Sequence, residues 1–132
     1  MFFENELDSN NVGYVALTKK ESINIQKEWL QLFANRVKEM TGKWVVDRFM
    51  WSGFCQGLQP CYKDDKAFEK YEDQFVEDYY VFDESGKHAY LCKSEKYPDF
   101  RFIGRDIYLM PKSRLWTMVF SHEMMSFFAE AG

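Results

Sequence analysis

Ser121-His122-Glu123 is the only place in this chain where a hydroxyl, an imidazole and a carboxylate are adjacent. An imidazole moves protons near neutral pH, and the groups beside it could orient it, attack a substrate or help to hold a metal. Thr117 and Cys92 are the other hydroxyl and thiol that could join such a site. The competing reading is structural: His122 and Glu123 end a strand and hydrogen-bond into the following turn. Zinc needs about four convergent ligands, or three plus water. The chain has two histidines, His88 and His122, and no Cys-x-x-Cys, so the structural reading leads. No catalytic residue, metal ligand or cofactor is assigned.

The cysteines are equally quiet. Cys55, Cys61 and Cys92 are odd in number and irregular in spacing, which makes a poor disulfide framework. Cys92 falls inside an apolar run, and nothing local activates Cys55 or Cys61. Glycine-rich nucleotide loops and the Gly-x-Ser-x-Gly turn of hydrolases are absent.

The residues before His122 place it in the fold. Leu115 to Phe120 alternates, with Trp116, Met118 and Phe120 on one side and Leu115, Thr117 and Val119 on the other. Both sides are largely apolar, as in a central strand covered on both faces. Further strands are predicted at Tyr79–Phe82 and His88–Cys92 around Asp83-Glu84-Ser85-Gly86, at Asp106–Met110, weakly at Val12–Leu17, and at Lys43–Phe54. Thr18-Lys19-Lys20-Glu21 fits a capping box. It opens a helix predicted to run from Lys19 to Met40, with Ile23, Leu30, Ala34, Val37 and Met40 at helical spacing and Gly42 as its stop. Ala67, Phe68 and Tyr71 mark a short helix within Lys63–Gln74, and Met124–Ala131 reads as a helical turn or a packed tail. Together these predict an α+β fold: a long N-terminal helix on an antiparallel sheet of about four to five strands.

The length of 132 residues fits a single domain, 1–132, with residues 1–11 polar and mobile. A chain 46% hydrophobic and 19% aromatic can build a core. No signal peptide or membrane span is apparent, so a cytoplasmic location is expected, with no membrane partner. The net charge of -4 argues against direct nucleic-acid binding. Between Asp64 and Glu84 stand nine acids against two lysines, a segment charge of -7 that leaves +3 elsewhere. Its acids are interleaved with aromatics. Asp64, Asp65, Glu69, Glu72, Asp73, Glu77, Asp78 and Tyr79 are therefore the candidate contacts for a basic protein partner. The competing reading is a solvated acidic helix whose aromatics face the core.

Asp106-Ile107-Tyr108-Leu109, a turn, then Trp116-Thr117-Met118-Val119-Phe120-Ser121-His122-Glu123 resembles the tail of a group of small bacterial domains of unknown function. That tail reads Trp-Thr-x-Val-x-Thr-His-Glu; Ser121 keeps the hydroxyl where threonine is commoner. The group's Gly-Pro-aromatic-Phe element is replaced here by Met124 to Phe128. Such domains are similar in size and character to immunity proteins of bacterial polymorphic toxin systems. The resemblance implies a cytoplasmic protein that neutralises a cognate toxin domain by binding it; a basic nuclease would suit the acidic segment. It carries over no catalytic residue. The alternative is a small enzyme or ligand-binding domain using His122 and Glu123. Oligomeric state is not legible from the sequence.

Overall fold

Five short apolar runs in the second half of the chain pair side by side into the middle of a sheet that helices and connections cover. A computed structural model describes residues 4–132. Its elements are α1 (Glu4–Ser9), β1 (Gly13–Ala16), α2 (Lys19–Phe33), α3 (Asn35–Thr41), α4 (Ser52–Cys55), β2 (Tyr62–Lys63), α5 (Asp64–Glu72), β3 (Tyr79–Asp83), β4 (Ala89–Lys93), β5 (Ile107–Pro111), β6 (Trp116–Phe120) and β7 (Ser126–Glu130). The seven strands form one sheet in the order β1-β4-β3-β5-β6-β7-β2. Every pairing is antiparallel. The fold class is α+β as predicted, with seven strands in place of four to five. The two extra strands include β2, which is only two residues long and has little pattern to read.

Register explains the two cores. Val81 pairs with Tyr90 and Leu109, Leu109 with Met118, and Met118 with Phe128. This row points to one face, where α1, α5 and the 94–106 connection pack through Leu7, Tyr71 and Phe100. The adjacent row, Ala89, Phe82, Tyr108, Val119 and Phe127, points to the other face. There α2, α3 and α4 close the core with Trp29, Val37 and Phe54. Strands β5 and β6 are buried along their whole length, as the alternation of Trp116 to Phe120 predicts. Burying a large apolar side chain there is worth about 2–3 kcal/mol.

The capping box is present: Thr18 Oγ accepts from the Glu21 amide and Glu21 Oε1 from the Thr18 amide. The single helix Lys19–Met40 is not. It breaks at Ala34 (φ -132, ψ 18) into α2 and α3. The cause lies downstream: Gln59 Oε1 accepts from the Arg36 amide at 3.0 Å, and Gln59 Nε2 donates to Asn35 Oδ1 at 2.8 Å. Gln59 thus caps α3 from outside, satisfying one of the donors a new helix start exposes. The packing face of α2 is Ser22, Ile25, Trp29 and Phe33, whereas Ile23 and Met40 are exposed. Gly42 ends α3 in the left-handed conformation, as expected.

Two further expectations are corrected. Lys43–Phe54 is no strand; it is a series of bends and turns ending in α4, laid across the helical core. Of the two readings of Met124–Ala131 the packed tail holds and the helical turn does not: the segment contains β7, whose buried Phe127 and Phe128 point to opposite cores. The expectation of mobility for 1–11 falls partly on 1–3, outside the described residues. Glu4–Ser9 is helical and seats Leu7 in the core.

Candidate functional site

Antiparallel pairing of β5 with β6 sets Ile107 opposite Phe120, so Asp106 lies across from Ser121 and next to His122. Three donors converge on Asp106 Oδ1: the His122 amide (2.9 Å), His122 Nδ1 (3.0 Å) and the Trp51 indole N–H (2.9 Å). The His122 ring lies against Phe49, 4.9 Å between centroids, and its side chain keeps 38% of its exposure. Beside this group, Met50 N–H donates to Glu84 Oε2 at 2.8 Å and the Tyr108 hydroxyl donates to Glu84 Oε1. Tyr108 in turn accepts from the Trp51 amide at 3.2 Å. Asp106, Glu84 and Tyr108 therefore fasten the turns of residues 49–51 to the sheet.

Burial pushes the Glu84 carboxyl above the usual glutamate range, opposed by the bonds from Tyr108 and Met50. Burial and the neighbouring Glu84 push the Tyr108 hydroxyl well up, so it stays protonated and remains a donor. Burial pushes the Cys92 thiol up to about 12, which leaves no thiolate for chemistry at neutral pH. Cys61 is pushed up in the same way.

The remaining motif residues are used internally. Thr117 accepts from the Trp29 indole N–H at 2.8 Å and donates to the Leu109 carbonyl at 2.8 Å, both buried. Ser121 Oγ accepts from the amides of Glu123 and Met125 and shapes the β6–β7 turn. Trp116 is buried among Tyr71, Tyr97 and Phe128. Glu123 is exposed, and the partner of His122 is Asp106, not its neighbour Glu123. An Asp–His pair can relay a proton, but Asp106 also accepts from the Trp51 indole and the His122 amide, which commits it to holding the turns together. Among those residues no group of three or more His, Cys, Asp or Glu side chains is placed to hold a metal ion. Sequence reading missed Asp106, Trp51 and Glu84; counting register back from the Pro111–Leu115 turn would have found Asp106.

The acidic segment divides in two. Asp65, Glu69, Glu72 and Asp73 are exposed on and just after α5, with Ala67 and Tyr71 turned inward. Lys66 and Lys70 stand among them, and Arg101, stacked 3.5 Å over Phe68, lies in the field of Glu72 and Asp65. Asp64 Oδ1 accepts from the Ser126 amide at 3.1 Å and ties α5 to β7. Glu77 accepts from the Ser113 amide and hydroxyl, and the Asp78 carbonyl accepts from the Lys112 amide. Tyr79 is a correction: it is fully buried, with its hydroxyl bonded to Ser94, and offers a partner no surface.

Sheet, covers and site define an antiparallel α+β protein with one acidic helical flank. Residues 1–128 match the model of a family described as "Domain of unknown function (DUF4275)", and the chain belongs to that family. No curated protein and no solved structure matches it significantly. Among the described residues no helix is long and apolar enough to cross a membrane.

Proposed function

We propose that this chain is a cytoplasmic protein-binding module, an immunity protein that neutralises a cognate toxin domain by covering it. The observation that carries the reading is the exposed acidic row Asp65, Glu69, Glu72 and Asp73, set on a helix whose other side is locked into the core. Carboxylates held at fixed spacing on a rigid helix steer a basic partner and occupy the place where an anionic substrate would sit. The imidazole, hydroxyls and thiols that could have done chemistry are largely committed to fastening turns and filling cores. The alternative, a small enzyme at His122 and Glu123, has in its favour only the Asp106–His122 pair.

The test is binding to the product of the adjacent gene, measured by calorimetry at several salt concentrations. Asp65, Glu69, Glu72 and Asp73 changed together to lysine should weaken binding by at least about tenfold and flatten its salt dependence. Unchanged affinity with an unchanged salt slope would sink the reading.

A further inference from the structure

Phe75 is the most exposed large apolar side chain among the described residues, at 95%, and Leu115 is 65% exposed. Scattered single exposures need no explanation, but these two line the same shallow cleft of about 400 Å³. Its other walls are Gln74, Glu77, Trp116, Glu130 and Ala131. Two carboxylates and no cation line it.

The backbone that presents these side chains is pinned. The Tyr97 hydroxyl donates to the Phe75 carbonyl at 2.9 Å and accepts from the Glu77 amide at 3.1 Å, clamping the chain on both sides of Val76. Tyr97 is itself wedged edge-on against Trp116 and Tyr79. Across the cleft, the Ala131 amide donates to the Leu115 carbonyl at 2.9 Å, and Ser113 is held by Glu77. Phe75 and Leu115 thus stand in water on an ordered backbone. An apolar side chain held out in this way has already lost the chain entropy that binding would otherwise cost.

We propose, resting on the protein-binding reading above, that this cleft is the anchor of the interface, and that its occupant is a basic protein segment in which an aliphatic or aromatic side chain is flanked by lysine or arginine. The side chain enters between Phe75 and Leu115. The flanking cations meet Glu77 and Glu130 at the rim, with Glu72 and Asp73 just upstream of Phe75. Along α5 itself Lys66, Lys70 and Arg101 dilute the acidic field, so that surface steers the encounter while the cleft holds the complex. An acidic or purely polar segment meets like charge at the rim and finds no use for the apolar walls.

The experiment is an amide NMR titration of the full chain with a synthetic probe peptide, Lys-Arg-Leu-Lys-Phe-Arg-Lys. Two control peptides replace its bases by glutamate or its Leu and Phe by serine. Saturable shifts at Phe75, Val76, Leu115 and Ala131 are expected with the probe and not with the controls. Phe75→Ser and Leu115→Ser should each weaken the probe by about tenfold while the remaining spectrum stays in place, since both side chains face solvent. Shifts confined to α5, indifferent to these two substitutions, would overturn the cleft proposal and leave the acidic-face reading standing. Equal binding of the glutamate peptide would overturn the charge argument. A concentration-dependent dimer that Phe75→Ser makes monomeric would assign the cleft to a second copy instead. Binding to the adjacent gene's product that survives Phe75→Ser but is lost on α5 reversal separates the two claims: the cleft fails and the parent reading holds.

Discussion

The two covers of the sheet are fastened by different physics. The cover built from α2, α3 and the 44–55 stretch is held by polar bonds that cross the core: Trp29 to Thr117, Trp51 to Asp106, and Met50 and Tyr108 to Glu84. The cover built from α1, α5 and the 94–106 connection is held chiefly by aromatic packing, with Trp116 set against Tyr71, Tyr97 and Phe128 at 5.2 to 5.9 Å between centroids. The difference follows from secondary structure. An irregular stretch such as 44–54 carries many backbone groups without helix or ladder partners, and buried carboxylates and hydroxyls supply them. A regular helix such as α5 satisfies its own backbone, so its inner face is mostly apolar, with the Tyr71 hydroxyl donating to the Pro98 carbonyl, and its outer face can be given over to charge.

The largest effect should fall on the aromatic cover. Trp116→Ala should cost about 3–5 kcal/mol, read as a lowered urea midpoint; a near-neutral midpoint would remove the claim that this cover depends on it. Next comes a single bond of the polar cover. Thr117→Val keeps the shape but leaves the Trp29 indole N–H buried without its acceptor, at a cost of about 1–3 kcal/mol. Trp29→Phe in the same background should recover part of that loss, which a simple packing defect would not allow.

A smaller effect concerns pH. The folded chain holds the Glu84 proton more tightly than the unfolded chain does, because burial raises its pKa. Its contribution is therefore fully present below the ordinary glutamate range and is lost as pH rises through the raised value. Glu84→Gln should flatten the stability curve in that window. A mutant curve parallel to wild type would show that folding does not tighten the Glu84 carboxyl's hold on its proton. The least effect is expected outside both cores: each of the four reversals to lysine on and just after α5 should alone shift stability by no more than about 0.5 kcal/mol, so that loss of binding is not loss of fold.

Sequence made the local signals legible. Thr18 and Glu21, Gly42, the β3–β4 hairpin and the alternation of Trp116 to Phe120 depend on neighbours a few residues apart, and each was readable. What was not readable depended on distant partners. The break at Ala34 is made by Gln59, and the aromatic run Trp44 to Trp51 looks like a strand until Glu84 and Asp106 capture its backbone and indole. His122 beside Glu123 suggests a pair, but both stand in the β6–β7 turn, where Glu123 faces water, and the carboxylate that meets His122 is Asp106, just ahead of the facing strand β5. In the acidic segment, composition could not show that Glu84, Glu77 and Asp64 serve the fold while Asp65, Glu69, Glu72 and Asp73 face water.

The strand order has a consequence for how this chain assembles as it is made. Both edge strands, β1 and β2, and most of the covering helices come from the first half, whereas the five central strands come from the second. Tyr62 and Lys63 wait for Phe128 and Phe127, which follow only after α5 and β3 to β6. The first half therefore emerges with Trp29, Phe33, Trp51 and Phe54 and no sheet to cover, a state that is exposed to aggregation until β7 arrives. Such a chain is poorly suited to folding piece by piece on the ribosome. The β3–β4, β5–β6 and β6–β7 hairpins, whose contacts are local, are the parts equipped to form first; the longer-range pairing of β3 with β5 then joins them into the template on which the earlier residues close.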